Sequence, residues 1–270
     1  MDEYLIENCA VELDVHVEDG SYVGGLVGCG YGYTTVKNCN VDFSMDGNCE
    51  LAGGLFGTVH GALNAMDCFA DVKADTGDIF GGLLGSVTSK SMKANNCIVQ
   101  VEIENAVRDV GGLLGQGNFQ ITQCYAVGQI ASDADNSRIG GLVGYGDGTI
   151  GQCWTDVEIV SCGFAGGLGG AVNGTVYGSW ASGDIVEADG MVSQNTRSAG
   201  GLVGSSREIA VQDCCYLGKL ENNGRKTVGG LIGTGNGMIR NCYYEGDLAS
   251  DGSELGGLIG SGKMIVYECW

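Results

Sequence analysis

The sequence has no proline and little positive charge. Lys and Arg total 13 of 270 residues, against 33 Asp and Glu, and the formal net charge is −20. Nucleic acids and anionic membranes attract proteins through basic patches, so we expect neither as a partner. No apolar run approaches the length of about 18 to 20 residues that a membrane helix needs. Residues 1–4 lack the basic and apolar stretches of a signal peptide, so we expect either an unexported chain or an excerpt of a longer exported protein.

Signatures of catalysis are also scarce. The two histidines, His16 and His60, lie outside any HExxH motif, and His60 is predicted to lie in a solvated turn. The sequence contains no GxSxG motif, Walker loop or zinc-type cysteine pair. Calcium remains a weak candidate, because acidic turns at 75–78 and 131–136 offer oxygen ligands without EF-hand or RTX spacing.

What the sequence has in abundance is glycine, 51 residues of it, arranged in a repeat. The motif Gly-Gly-Leu-x-Gly occurs nine times at intervals of 26 to 34 residues, which is typical of a solenoid. The central leucine never varies, and we predict that it fills the core. These leucines are Leu26, Leu55, Leu83, Leu113, Leu142, Leu168, Leu202, Leu231 and Leu258. The glycines are expected either to adopt positive φ at a corner or to allow close approach of neighbouring coils.

Nine of the 13 cysteines share one phase of the repeat, with Ser179 in their place in the seventh coil. We predict a buried column of reduced thiols, because stacked side chains point the same way whereas a disulfide needs Cβ atoms that face each other. The predicted core members include Cys39, Cys68, Cys97, Cys124, Cys153 and Cys242. The redox states of Cys29, Cys49, Cys162 and Cys215 stay open. Before each column cysteine stands Asn, Asp, Gln or Glu, predicted to take the left-handed conformation at a corner and to hydrogen-bond along the stack.

Alternation of apolar and polar residues predicts short strands. After Cys97, the residues Val99, Val101 and Ile103 alternate with Gln100 and Glu102. Each repeat supplies three such strands, and no 3.6-residue periodicity is present. We therefore predict an all-β, right-handed parallel β-helix, a solenoid with three strands per coil and about nine coils. It forms a single domain over residues 1–270, as an excerpt of a longer chain.

The repeat resembles the GLUG motif, in which U is a bulky apolar residue. Residues 140–154 carry the Gly-Gly-Leu-Val-Gly half followed by Ile and Cys, and residues 124–128 and 241–246 carry the Cys-Tyr half. The sixth copy departs from the pattern at Gly169. The resemblance implies a bacterial surface or secreted protein, as in large adhesins and the non-catalytic part of IgA-specific metallopeptidases. It implies no chemistry of its own.

Two features are candidate binding sites for a protein or glycan of a host or neighbouring cell. The longest coil contains Glu187, Asp189, Met191, Gln194, Asn195 and Arg197. Long loops on rigid scaffolds often carry binding. The position after the column cysteine carries an aromatic series that includes Tyr125, Trp154, Trp180 and Tyr243. These rings form either a binding stripe or coil-to-coil packing.

The function predicted from these observations is a non-catalytic, extracellular or cell-surface spacer or adhesin-type module without a cofactor. The alternative is a polysaccharide-cleaving enzyme on a β-helix, which would need carboxylates clustered around a basic residue in one groove beside a long loop. Lys73 and Lys219 are interspersed among the outward carboxylates, and this mixture favours a solvated face over a catalytic cluster. The two ends share one repeat phase, so end-to-end self-association is also expected to be possible.

Overall fold

A computed structural model describes residues 3–75, 77–188, 197–222 and 227–270. Within these ranges every helix or strand element is a β-strand. The strands form two parallel sheets, one of twelve strands and one of nineteen. The predicted all-β fold is therefore confirmed.

The strands follow one another along the chain without any other regular element between them in the described residues. They are β1 (Glu3–Glu7), β2 (Ala10–Gly24), β3 (Val27–Lys37), β4 (Asn40–Gly53), β5 (Phe56–Met66), β6 (Phe69–Ala74), β7 (Gly77–Gly81), β8 (Leu84–Val87), β9 (Met92–Asn95), β10 (Ile98–Ile103), β11 (Ala106–Gly111), β12 (Leu114–Thr122), β13 (Tyr125–Ser132), β14 (Arg138–Gly140), β15 (Val143–Gly151), β16 (Trp154–Ser161), β17 (Phe164–Gly166), β18 (Gly169–Tyr177), β19 (Trp180–Ala181), β20 (Ile185–Val186), β21 (Ser198–Gly200), β22 (Val203–Ser205), β23 (Ile209–Gln212), β24 (Cys215–Tyr216), β25 (Leu220–Asn222), β26 (Thr227–Gly229), β27 (Ile232–Arg240), β28 (Tyr243–Tyr244), β29 (Leu248–Ser250), β30 (Glu254–Gly256) and β31 (Ile259–Tyr267).

Each coil passes once through each sheet. In the coil that contains β13, β14 and β15, the first two strands belong to the nineteen-stranded sheet and the third to the twelve-stranded sheet. Successive coils pair in parallel and in register, so that β13 pairs with β16 and β15 with β18. The chain therefore forms about nine coils, and residues of one repeat phase stack in columns. The right hand of the coil stays a prediction, based on the strong preference of parallel crossovers for that hand.

A single hydrophobic core runs between the two sheets. The motif leucines from Leu55 to Leu231 are completely buried, whereas Leu26 and Leu258 in the end coils are partly buried. Each fully buried leucine contributes roughly 1.5–3 kcal/mol relative to an exposed one. The predicted leucine column is thus confirmed, and its stabilising effect is greatest in the middle of the solenoid.

The motif glycines are required by close backbone packing. A Cβ atom on Gly111 would lie 2.2 Å from the carbonyl oxygen of Leu114, and one on Gly112 would lie 2.1 Å from the carbonyl oxygen of Gly141. None of the motif glycines has a positive φ. The expectation of a left-handed conformation at these glycines is therefore wrong, and the close-approach explanation is confirmed.

The left-handed residues stand instead at the corner before the column cysteines. All nine predicted Asn, Asp, Gln and Glu residues have φ between 50° and 56°, and the seventh coil has Gly178 at φ 55° there. Side-chain amides link successive corners: the Nδ2 atom of Asn96 donates to Oδ1 of Asp67 at 2.7 Å. The Asn38 amide donates to Asn8 in the same way. The corner prediction is confirmed.

The thiol column also joins the two sheets. The nine column cysteines carry reduced thiols, and from Cys39 to Cys242 the column members are buried. The Sγ atom of Cys124 donates to the carbonyl oxygen of Thr122 at 3.2 Å and accepts from the backbone amide of Cys97 at 3.4 Å. Ser179 reproduces both contacts, since its hydroxyl donates to Tyr177 and accepts from the amide of Cys153. A thiol or hydroxyl is used here because the corner amide needs a small acceptor.

Candidate functional site

The outer faces of the two sheets differ sharply in charge. In the strands of the twelve-stranded sheet, the described side chains include three carboxylates and four cations. In the strands of the nineteen-stranded sheet, the described side chains include fourteen carboxylates and three cations. Asp109 is buried, so thirteen of these carboxylates lie on the outer face, and the negative charge of the described strands is concentrated there.

In-register stacking brings these carboxylates close together. Glu12, Asp42 and Asp71 stand at one repeat phase in three successive coils. Parallel strands lie about 4.8 Å apart, and like charges at directly opposed positions are destabilising. Farther along the same face the Nζ atom of Lys73 lies 3.4 Å from an Oε atom of Glu102, and both side chains are about 60% exposed. Most of this face therefore presents carboxylates to solvent and to any cationic partner.

An aromatic row borders the acidic face at the corner. We define the aromatic row as Tyr125, Trp154, Trp180, Cys215, Tyr243 and Trp270, the residues that follow the column position. The Tyr125 and Trp154 rings stack with centroids 4.6 Å apart, and the Trp154 and Trp180 rings stack at 5.2 Å. Tyr243 and Trp270 stack at 5.3 Å. In all three pairs the ring planes are within 8° of parallel.

Stacking determines what the aromatic row can bind. Because the rings cover one another's faces, Trp154 presents its edge rather than its face to solvent. A sugar ring that stacks on an aromatic side chain needs an open face. Of the two sequence-based interpretations, coil-to-coil packing is confirmed for these rings, and the binding stripe stays a prediction.

The structure describes two of the six candidate residues in the longest coil, Glu187 and Arg197. Asp189, Met191, Gln194 and Asn195 lie outside the described residues, so the hypothesis about them stays a prediction. Arg197 is only 2% exposed and forms an ion pair with Asp135 two coils away. Its Nε and Nη1 atoms and both carboxylate oxygens of Glu187 are buried without a hydrogen-bond partner in the part of the chain that the structure describes. Arg197 therefore packs within the solenoid, and a recognition role for it and Glu187 remains untested.

A second ion pair joins β11 and β14 of the nineteen-stranded sheet. Asp109 is fully buried, and both its oxygens accept hydrogen bonds from the guanidinium of Arg138. That guanidinium lies 3.8 Å from the centroid of the Tyr145 ring. Burial raises the pKa of Asp109, and Arg138 opposes the shift. Both contacts hold side chains in fixed positions inside the fold.

One cluster on the twelve-stranded sheet was not predicted from sequence. Tyr31 stacks on His60 at 5.3 Å, and the Nδ1 atom of His60 lies 2.8 Å from the Thr88 hydroxyl. Lys90 bonds the Tyr33 hydroxyl and lies over its ring. A groove of about 720 Å³ runs beside this pair. His60 lies inside β5, so the prediction of a turn at His60 is wrong. Tyr31 and His60 pair in register, and the repeat phase that they share does not by itself predict that their rings stack.

Neither a metal site nor a membrane helix is evident in the ranges that the structure covers. No group of three or more His, Cys, Asp or Glu side chains is arranged there to hold a metal ion. No helix long and apolar enough to cross a bilayer occurs in the same ranges. In the acidic turns proposed for calcium, Asp75 accepts a hydrogen bond from Asn105 and Asp135 is paired with Arg197. The weak calcium expectation stays untested.

Comparison with known proteins supports the repeat family. The model of the GLUG motif matches residues 19–44. No curated protein and no solved structure matches the chain. The matched residues include the end of β2 and the start of β3, with the first Gly-Gly-Leu corner between them. The chain is a repeat protein, and its residues 19–44 carry the GLUG motif.

Proposed function

We propose that the chain is a non-catalytic module of a bacterial cell-surface or secreted protein, in which a rigid solenoid displays an adhesin-type binding face. The observation that carries this proposal is the continuous parallel pairing of successive coils from β1 to β31. Ten strand layers at about 4.8 Å per step give a rod about 43 Å long in this chain alone. Such a rod holds surface residues at fixed spacing along its axis.

The charge distribution supports a binding face on one side. Opposed carboxylates cost stability, so a face with thirteen unburied carboxylates and three cations is not what packing alone favours. A cationic partner would offset this repulsion. We therefore place the binding function on the nineteen-stranded sheet and its aromatic row, with a partner outside the cell.

The rival enzyme has one observation in its favour. A groove of about 360 Å³ brings Asp46, Asp75, Glu102 and Glu104 around Lys73. Carboxylates around a cation are what a polysaccharide lyase or hydrolase would need. However, the Lys73–Glu102 pair is exposed on both sides and the turn nearby is short, so the groove has the properties of a solvated surface.

One experiment separates the two functions. Beads that carry the chain are tested for adhesion to epithelial cells and to a glycan array, and the soluble chain is incubated with polygalacturonate and alginate. We expect adhesion without release of reducing or unsaturated ends. Cleavage that is lost in Lys73→Met would contradict the proposal and establish the enzyme, whereas beads carrying an unrelated protein of equal charge control for nonspecific adhesion.

Self-association is part of the same proposal. The edge strands β1 and β31 each pair on one side, and they expose Leu5, Ile265 and Tyr267. Copies joined end to end would continue both sheets, and the net charge of −20 opposes this at low salt. Light scattering across a salt series should show larger particles as salt increases. A monodisperse monomer at every salt concentration would contradict end-to-end association.

A further inference from the structure

The groove of about 720 Å³ on the twelve-stranded sheet has the size of a ligand site, since small-molecule sites occupy about 300–1,000 Å³. Its lining comes from β1, β3 and β5 and from residues 90–93, which lead into β9. These elements stand at four successive coil levels, because β1 pairs with β3, β3 with β5 and β5 with β9. The groove therefore follows the solenoid axis over three steps of about 4.8 Å, or about 14 Å in all.

Positive charge without a carboxylate partner collects in this groove. Seven Lys and Arg side chains lie within 3.7 Å of a carboxylate oxygen. Among the described residues, the cations without such an ion pair are Lys90, Lys93, Arg108 and Lys263. Two of these four line the groove. The groove can therefore attract an anionic group, although the net charge of the chain is −20.

One side of the groove is held in place by Lys90. Its ammonium group bonds the Tyr33 hydroxyl and lies 4.6 Å from the centroid of the Tyr33 ring, an arrangement that a cation and an aromatic face favour. Tyr33 pairs in register with Ala62, and Lys90 belongs to the coil beyond Ala62. The Lys90 side chain therefore crosses the level of Ala62, whose small side chain leaves room for it.

The floor of the groove offers polar side chains at regular steps. Thr35, Asn64 and Lys93 stand in register at three successive levels and point outward. In the described part of the chain, neither the Thr35 hydroxyl nor the Asn64 amide is engaged in a side-chain hydrogen bond. The backbone groups of these strands pair within the sheet. A ligand in the groove is therefore recognised by side chains about 4.8 Å apart and not by the backbone.

The end of the groove opposite Lys93 is apolar and carries a carboxylate. Tyr4 and Leu5 of the edge strand are 52% and 65% exposed. Glu3, which pairs in register with Tyr33, lies three coil levels from Lys93. The two ends thus favour different parts of one ligand: an anionic group at Lys93, and neutral groups with hydroxyl donors and apolar surface at Glu3.

We propose that this groove binds a short linear oligosaccharide that ends in an acidic sugar, with the carboxylate of that sugar at Lys93. The sugar hydroxyls exchange hydrogen bonds with Thr35 and Asn64 and donate to Glu3, and the C–H surface of the neutral sugars covers Leu5. An extended peptide fits less well, because it binds a sheet through main-chain hydrogen bonds at an edge strand, whereas the groove lies on a face. The site goes beyond the proposed function, whose cationic partner binds the other sheet.

Ligand-observed NMR titration of the intact chain with glucuronosyl-cellobiose tests the proposal. Cellotriose is the matched neutral ligand, since it has a hydroxymethyl group in place of the carboxylate. Gly-Gly-Glu with blocked ends carries the same single charge without a sugar. We expect the acidic trisaccharide to bind at least tenfold more tightly than either. Equal binding of cellotriose would contradict recognition of the carboxylate, and equal binding of the peptide would replace the saccharide by any acidic ligand.

Lys93→Met and Lys263→Met form a matched pair of variants. Each removes one exposed cation from the twelve-stranded sheet, but Lys263 lies in β31, at the other end of the solenoid. Lys93→Met should weaken binding of the trisaccharide at least tenfold, and Lys263→Met should leave it unchanged. Thr35→Val keeps the side-chain shape without the hydroxyl and should weaken binding severalfold. Equal affinities of the two Lys variants would overturn the proposal; thermal unfolding of each verifies that the fold is retained.

The remaining outcomes separate the groove from its alternatives and from the proposed function. If free glucuronate binds as tightly as the trisaccharide, the groove recognises a carboxylate alone and the oligosaccharide is wrong. If no saccharide binds while the beads still adhere to cells, the groove is wrong and the proposed function stands. If binding of the trisaccharide depends on Lys93 while the beads fail to adhere, the groove stands and the cell-surface role fails.

Discussion

The two sheets share one core and one set of corners, yet one is nearly neutral and the other strongly acidic. Both consist of in-register parallel strands with motif leucines between them. They differ only in the outward residues, where Thr35, Asn64 and Lys93 stand at one phase of the twelve-stranded sheet and Glu12, Asp42 and Asp71 at one phase of the nineteen-stranded sheet. The repeat thus fixes the inward residues and leaves each outer face free to vary.

The two sheets share one core, so a substitution in that core should cause the largest loss of stability and should destabilise both sheets together. Leu142→Ala removes a fully buried side chain from the common core, and we expect a loss of about 2–5 kcal/mol in the free energy of unfolding. Urea unfolding measures it, and Val127→Ala, at a half-buried outward position, is the control. If Leu142→Ala cost no more than Val127→Ala, the core would not be common to the two sheets.

The thiols at the corner between the sheets predict alkaline instability. Burial raises the pKa of Cys153 to about 11, and the Cys124 thiol together with burial raises that of Cys97 to about 12. The folded pKa exceeds the unfolded value of about 8.5, so the stabilisation is complete below pH 8.5 and is lost as pH rises toward 11. Each such thiol should lower stability by up to ~1.4 kcal/mol per pH unit in that window.

Paired unfolding experiments at pH 8 and pH 10 test this expectation. Cys153→Ser keeps a hydroxyl in the column, as Ser179 does naturally, and removes one titrating group. The variant should therefore lose less stability between the two pH values than the unmodified chain. An equal loss would mean that the buried thiols do not cause the alkaline instability.

The corner conformation predicts a smaller effect at the boundary between the sheets. Gln123 has φ 54°, a conformation that is most costly for β-branched residues. Gln123→Val should reduce the free energy of unfolding by about 1–3 kcal/mol, whereas Gln123→Gly should be close to neutral. Chemical denaturation of both variants checks this. Equal stability of the Val and Gly variants would contradict a left-handed corner.

Charge on the two faces predicts the smallest effect and tests the comparison itself. Asp42 stands between Glu12 and Asp71, so Asp42→Asn should raise stability by a few tenths of a kcal/mol at low salt and have no effect at high salt. Asn64→Asp on the other sheet adds a charge beside Lys93 and should not destabilise. An equal change in stability for Asp42→Asn and Asn64→Asp would contradict the difference in charge between the two faces.

Most of the fold follows from the sequence because the repeat is visible in it. The Gly-Gly-Leu phase predicts the core, and the Asn or Gln before each cysteine predicts a left-handed corner. The prediction of positive φ at the motif glycines was wrong. These glycines are needed because backbones such as those of Gly112 and Gly141 lie close together, and that closeness depends on the distance between stacked coils. Sequence shows which residues share a phase but not how tightly neighbouring coils approach.

The candidate site was less predictable. The aromatic phase and its interruption at Cys215 are visible in the sequence, but face-to-face stacking of the rings is not. The burial of Arg197 depends on Asp135, which is 62 residues earlier and two coils away. Contacts between different phases are the part that a repeat pattern does not encode.

Distances between spin labels on one column test the central claim most directly. Thr35, Thr149, Thr175 and Met238 occupy one phase of the twelve-stranded sheet. Labels attached through a ketone-bearing amino acid would leave the 13 cysteines unmodified. In-register stacking at about 4.8 Å per coil predicts distances from Thr35 of about 19, 24 and 34 Å to the other three positions. Distances that do not increase in proportion to the number of coils would contradict a parallel in-register solenoid.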